Sequence, residues 1–267
     1  MRTLLAALAA LPLIAAAPAD WRPLDPAQTL VIDTTKGRVV VEMRPDFAPL
    51  GVERIKLLAR EGVYDGLLFH RVIDHFVDQT GNPNNHDGGV SGHPDLAPEF
   101  TFRLAPSDLA VARRASDGTS GFIGSSPVEM VAPSELARSK DGKLRAWGAY
   151  CPGTAGMGRQ EAPGSANSEI FLMRDASRRL DRDYTVWGQV VSGLDVVRAV
   201  AVGEPPASPD KMIRVRVASD LPPAERPKLM VMNEKGPAFA ALVAKIRKAR
   251  GADFSVCDVS APVRAGP

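Results

Sequence analysis

The sequence predicts a mainly β protein: a closed sheet with helices at its ends, carrying a long insertion and a C-terminal extension. Three observations lead there. Runs rich in β-branched residues recur along the chain, at Leu30 to Thr34, Arg38 to Met43, Tyr184 to Val191 and Ile213 to Val217. Between the first and last of these, only Ala48 to Glu61 and Gly193 to Val200 read as helices, and both are short. A composition of 45% apolar residues over 267 positions, with a net charge of +2, supplies ample material for a core.

The chain opens with Arg2 and an apolar stretch, Leu4 to Ala16, that runs into Ala17-Pro18-Ala19. A positive start, a short apolar run and an A-x-A pattern read as a signal peptide over residues 1–19, with the mature chain beginning at Asp20. A membrane anchor would need about 18 or more apolar residues, and Pro12 and Pro18 disfavour a helix there. The expectation is an exported protein, periplasmic or secreted, with no stable membrane insertion.

After a polar lead-in, Leu30 to Thr34 and Arg38 to Met43 form a hairpin turning at Lys36-Gly37. Ala48 to Glu61 is a helix: Pro49 stands at its start, Val52, Ile55 and Ala59 repeat at helical spacing, and Gly62 suits the position past its end. Leu67 to Phe76 is expected as one strand, followed by a Gly-, Asn- and Pro-rich loop from Thr80 to Pro98. Residues 105–149, rich in Ser, Arg, Gly and Asp, lack sustained periodicity and read as the insertion. Only Phe122-Ile123 and Leu144 to Trp147 are expected to be ordered by packing there. Strands resume at Glu169 to Met173 and Tyr184 to Val191, and Gly193 to Val200 is a short helix. Ile213, Val215 and Val217 then alternate with Arg214 and Arg216 in a closing strand. Pro222-Pro223 leads into the extension, residues 221–267, whose Pro237 to Arg250 segment is amphipathic. Phe239, Leu242, Val243 and Ile246 share its apolar face, for which Phe122 and Trp147 are the expected partners.

Several functions are excluded or disfavoured. No basic stripe interleaves with aromatics, so nucleic acid is not an expected partner, and the chain is expected to be a monomer. His70, His75, His86 and His93 are irregularly spaced, so no metal and no cofactor are expected. Ser120 and Ser125 lie outside any G-x-S-x-G pattern. Cys151 and Cys257 match no C-x-x-C motif; in an oxidising compartment a disulfide is favoured over a catalytic thiol, which has no His in sequence context.

The segment "FHRVIDHFVDQTGNP", residues 69–83, sets His70 and Arg71 in an apolar run, with Phe76, Val77 and Gln79 beyond. By itself, such an Arg could be a structural ion-pair member or a donor to a substrate. The segment resembles the signature of the cyclophilin-type peptidyl-prolyl isomerases. So do "APLGVERIKLLAREGVYDG" before it, and "GTAGMGRQEAPGSANSEIFLM" and "LDRDYTVWGQVVSGLDVV" after it. The resemblance covers about residues 29–104 and 151–218, and implies an eight-stranded antiparallel barrel capped by two helices within residues 20–220. It further implies isomerisation of X-Pro bonds in proline-containing polypeptides, without covalent or metal chemistry. A cyclophilin-fold chaperone or peptide-binding module with weak or no turnover is the alternative.

Carried over residue by residue, the resemblance makes Arg71 the catalytic donor, with Phe76 and Gln79 beside it. Val77, Phe171 and Leu180 join Phe76 in lining a proline pocket, and Met157, Gly158 and Arg159 pair with the residues before proline. Arg179 and Tyr184 stand at the rim, where the family often has Trp and His. The family's Gly-Gly-Asp after the Gln is Thr80-Gly81-Asn82 here, and its Gln-Phe is Glu169-Ile170. Its macrocyclic inhibitor cyclosporin uses the Trp that Arg179 replaces, so weak binding is expected.

Overall fold

The computed structural model describes residues 19–266, so the expected signal peptide lies, but for Ala19, outside the described residues. Strands β1 (Trp21–Pro23), β2 (Thr29–Thr34) and β3 (Gly37–Met43) precede helix α1 (Pro49–Arg60). Next come β4 (Arg71–Ile73), β5 (Val77–Thr80), β6 (Phe102–Leu104), β7 (Ala110–Arg114), β8 (Gly118–Ile123), β9 (Ser126–Val131) and β10 (Leu144–Gly148). Strands β11 (Thr154–Met157), β12 (Ile170–Met173) and β13 (Val186–Ser192), helix α2 (Leu194–Ala199) and β14 (Met212–Val217) follow. Strand β15 (Leu229–Met232), helix α3 (Pro237–Arg250) and β16 (Val263–Ala265) complete the described chain.

The principal sheet has eight antiparallel strands in the order β14-β2-β3-β13-β11-β12-β5-β4. It curls but does not close, which corrects the expected closed barrel. The edge strands β4 and β14 share no ladder, because residues 62–70 run through turns rather than strand. Near the gap the chain is tied instead by isolated bridges, Leu68 to Lys211 and Val72 to Gly203. Helix α1 lies against β14 and α2 against β3. Leu30, Ile32, Ile55, Leu58, Trp187 and Val215 are buried in one core between sheet and helices.

Two local expectations also change. The run from Leu67 to Phe76 is not one strand: it breaks after Ile73, where His75 adopts a positive φ of 55° and its N–H donates to Asp74 Oδ1 at 3.0 Å. His is among the residues that tolerate this left-handed region. In β14 a bulge between Met212 and Arg214 turns Met212, Val215 and Val217 inward and leaves Ile213 53% exposed.

Residues 102–148 are far more ordered than their composition suggests, forming a second antiparallel sheet in the order β6-β10-β9-β8-β7. Leu104, Val128, Met130 and Leu144 feed its inner face into the principal core, and Phe102 stacks on Phe47 at 4.3 Å. A third sheet, β1-β15-β16, joins the two ends of the described residues. Helix α3 buries Phe239 and Val243 with Phe122, Phe254 and Val256, and Phe122 meets Phe239 edge-on at 5.1 Å. Trp147 is not its partner: the indole donates to Asp181 at 3.3 Å and lies under the Arg182 guanidinium. Gly236 cannot cap α3 with a side chain, and Asp20 Oδ1 takes that role by accepting from Ala238 N at 3.0 Å. Cys151 and Cys257 are disulfide-bonded, with Cα atoms 4.9 Å apart.

Candidate active site

Strand register assembles the cleft. Arg71 on β4 faces Gln79 on β5, Gln79 faces Phe171 on β12, and Phe171 faces Gly156 on β11. Cross-strand partners share a face, so a cationic donor, an amide and an aromatic ring stand in one row. Gly156 ends the row for a steric reason: a Cβ there would sit 2.3 Å from Phe171 Cζ. Beneath that ring, Tyr150 stacks at 5.7 Å, and complete burial raises its phenol well above the usual range, so it stays neutral.

Arg71, Gln79 and Phe171 line a cleft of about 540 Å³ with Phe76, Val77, Gly158, Arg159, Arg179, Leu180 and Tyr184. The Met157 side chain does not line it. Strand alternation sends its side chain to the opposite face, where it packs beneath α1 at Gly51 and is 1% exposed. Gly158 borders the cleft where a Cβ would collide with Glu169 Oε1 at 2.1 Å. Cys151 and Cys257 do not line this cleft.

A polar network fixes the row. Arg71 Nε donates to Glu204 Oε2 at 2.7 Å, and its Nη1 donates to Gln79 Oε1 at 3.0 Å. Gln79 Nε2 donates in turn to Asp87 Oδ1 at 3.0 Å and to Glu169 Oε1. A guanidinium only donates and a carboxylate only accepts, so the amide has one consistent orientation. Arg71 Nη2 makes no hydrogen bond among the described residues, and the side chain is 30% exposed. The opening ambiguity about Arg71 thus has a double answer: one edge is ion-paired and another faces the cleft.

At the rim, the Arg179 guanidinium lies over the Phe76 ring at 4.7 Å, and Tyr184 meets Phe171 edge-on at 5.9 Å. The Arg159 guanidinium is already engaged, paired with Asp183 at 2.7 Å and lying over Tyr184 at 4.6 Å. What Arg159 can offer a peptide is therefore its backbone.

Sequence reasoning missed Asp87, Gln160 and Asp183 as cleft residues and Glu204 as the partner of Arg71. It noted Glu169 only as a departure from the family pattern. That departure was the one available signal: it puts a carboxylate where the family has an amide. The others sit in loops with no local mark. Among the described residues, His70, Asp87 and Glu169 form a group of potential metal donors, their ligand atoms within 4.8 Å of one another.

Residues 29–218 match the family model "Cyclophilin type peptidyl-prolyl cis-trans isomerase/CLD". A probable peptidyl-prolyl cis-trans isomerase of Brucella suis is 33% identical over 227 residues, covering 82% of this chain and 97% of that one. The crystal structure of cyclophilin AquaCyp293 from Hirschia baltica is similar at a TM-score of 0.84 and 34% identity, covering 92% of this chain and 94% of that one. That likeness reaches beyond residues 29–218. On these matches, the chain belongs to the cyclophilin-type peptidyl-prolyl cis-trans isomerases.

Proposed function

We propose that the cleft twists X-Pro bonds of exported polypeptides, with Arg71 as the donor to the proline nitrogen. The observation that carries this reading is the row from Arg71 through Gln79 to Phe171, a fixed donor beside an apolar, aromatic-lined hollow. Amide resonance sets a barrier of about 18–20 kcal/mol. As the C–N bond turns, the proline nitrogen pyramidalises and its lone pair is no longer shared with the carbonyl. A guanidinium hydrogen bond to that lone pair lowers the barrier most at the twisted state, with no covalent or metal step.

In this reading Gln79 and Glu204 hold the guanidinium in place, so little reorganisation is needed when the bond turns. Phe76, Val77, Phe171 and Leu180 grip the proline ring, Tyr184 narrows the rim, and the backbone at Gly158 and Arg159 pairs with the residues before proline. Export is supported by the Leu4 to Ala16 apolar run and the Ala17-Pro18-Ala19 pattern. Cleavage there would leave Asp20, the cap of α3, as the first residue. Residues 105–149 are read as an insertion into the family domain and residues 221–267 as its extension.

A protease-coupled assay on a short X-Pro peptide tests the mechanism. Arg71→Ala is expected to lower kcat/KM by a factor on the order of 10²–10³, the scale for one preorganised donor. Chelator should leave the metal-free rate unchanged. Wild-type turnover in a folded Arg71→Ala protein would remove Arg71 from the mechanism. No turnover in the wild type would favour a binding module on the same fold. Sequencing the N-terminus of the exported protein checks for a start at Asp20.

A further inference from the structure

We propose that His70, Asp87 and Glu169 bind a divalent first-row transition ion such as Zn²⁺, and that its binding inhibits the isomerase through Gln79. His70 is the starting point. Its side chain is 3% exposed, and neither ring nitrogen has a hydrogen-bond partner. Buried polar atoms are rarely left so. Nε2 is aimed between two carboxylates, 3.3 Å from Asp87 Oδ1 and 3.7 Å from Glu169 Oε2.

Those spacings suit a shared ion. Zinc holds nitrogen and oxygen donors at about 2.0–2.2 Å, so neighbouring donors of a tetrahedral site lie roughly 3.3–3.6 Å apart. One imidazole and two carboxylates suit zinc, and a water completes the tetrahedron. The donors come from three separate segments, so the fold and not a local motif brings them together. Glu169 is 6% exposed, and Asn82 Nδ2 and Gln79 Nε2 hold its two oxygens, the kind of outer support that orients a metal ligand. The Asp87 side chain is 65% exposed, which gives the ion a way in from solvent.

The link to catalysis runs through one amide. Gln79 Nε2 donates to both carboxylates, while its Oε1 accepts from Arg71. An ion bound to His70 Nε2 and Asp87 Oδ1 competes with Gln79 Nε2 for that Asp87 oxygen and adds positive charge beside the guanidinium. Gln79 then no longer holds Arg71 in place, and the developing lone pair of the proline nitrogen loses its donor. Catalysis needs no ion; the ion switches it off.

The test uses the full-length mature protein after chelator treatment. Calorimetric titration with ZnCl₂ should give one site per chain, and Co²⁺ should give a visible absorption band that Zn²⁺ abolishes. At saturating Zn²⁺, kcat/KM should fall at least about tenfold and recover with chelator. Asp87→Asn, on an exposed loop where misfolding is least expected, and Glu169→Gln should each weaken Zn²⁺ binding about tenfold or more. Each variant's zinc response is scored against its own zinc-free rate. Absence of stoichiometric binding, or unchanged binding and inhibition in both variants, would overturn the site. Binding without loss of rate would overturn the coupling to Arg71. The inhibition arm rests on the isomerase reading, but the titration does not, so an inactive protein that still binds one Zn²⁺ separates the two failures.

Discussion

The eight-stranded sheet and the structure attached beside it are held together differently. Leu30, Ile32, Val41, Trp187 and Val215 lie almost wholly buried in a continuous core under the cleft. The outer part, comprising the β1-β15-β16 sheet and helix α3, is fastened at a few points. One is the Cys151–Cys257 bond, another the Phe122–Phe239 contact. A third is Glu42 on β3, which pairs with Arg22 on β1 at 2.7 Å and accepts from Ser125 Oγ, in the β8–β9 turn, at 2.6 Å. A single carboxylate thus ties three sheets together. Stability of the cleft is spread over many residues, whereas the outer part is attached by these three links and one small apolar cluster, in which Leu24 and Val231 pack on Val40 of β3. Breaking those links should separate the two regions experimentally.

The disulfide is the largest lever. It joins residues 106 positions apart, and a loop that long is valued at roughly 4–5 kcal/mol by chain entropy. Reduction should raise hydrogen exchange across β15, α3 and β16 while kcat/KM stays within about twofold. Mass spectrometry of the non-reduced protein checks the bond itself, and two free thiols would remove the premise. Equal loss of tail order and turnover would show that the outer part supports the cleft. Phe239→Ala should follow, at about 3–5 kcal/mol for a buried aromatic, again read as exchange in α3 with activity kept.

Glu42→Gln is the third step, expected to cost about 1.5–3 kcal/mol, the scale of hydrogen bonds to a charged group. Burial alone would raise the Glu42 carboxyl, but the Arg22 hydrogen bonds and charge, with Ser125, outweigh it and hold the group below its ordinary value of 4.5. A depressed carboxylate contributes stability that is fully present above its unfolded value and lost as pH falls through the folded one. The stability gap between wild type and Glu42→Gln should therefore be constant above about pH 4.5 and close under more acid conditions. Denaturant titrations at several pH values measure it, and a gap that persists in acid would exclude this ionisation as the cause.

The same contrast governs what the sequence reveals. Arg71, Phe76 and Gln79 are legible through the resemblance of one short segment to the family signature, and all three line the cleft. Their partners Glu204 and Asp87 are not legible, because each arrives from a loop whose placement depends on the folded sheet. Strands β7 and β8 were missed because they bury small and polar residues rather than an apolar alternation. Thr119 is 2% and Ser120 8% exposed, and a Cβ on Gly121 would lie 2.3 Å from Ala110 O. Close backbone approach leaves no periodic signature. The break after Ile73 depends on a single His at positive φ, which no period announces either.

The smallest expected effect tests whether the altered rim belongs to the cleft or only borders it. Arg179 is exposed and covers Phe76 through its guanidinium at 4.7 Å, a contact of about 0.5–1 kcal/mol at an exposed site. Arg179→Trp replaces a cation on that ring with an aromatic that can stack there equally well. Turnover of a small X-Pro peptide should move by no more than about twofold, the usual range for a surface change of about 0.5 kcal/mol. Cyclosporin should respond differently, because a large macrocycle reaches past the proline hollow to the rim. Wild type should bind it weakly, and Arg179→Trp should gain at least about tenfold, equivalent to about 1.4 kcal/mol from one added aromatic contact. Inhibitor titration in the peptide assay reads both numbers together. Tight inhibition of the wild type would mean that the missing aromatic is unnecessary, and that Arg179 over Phe76 presents the macrocycle with an equivalent surface.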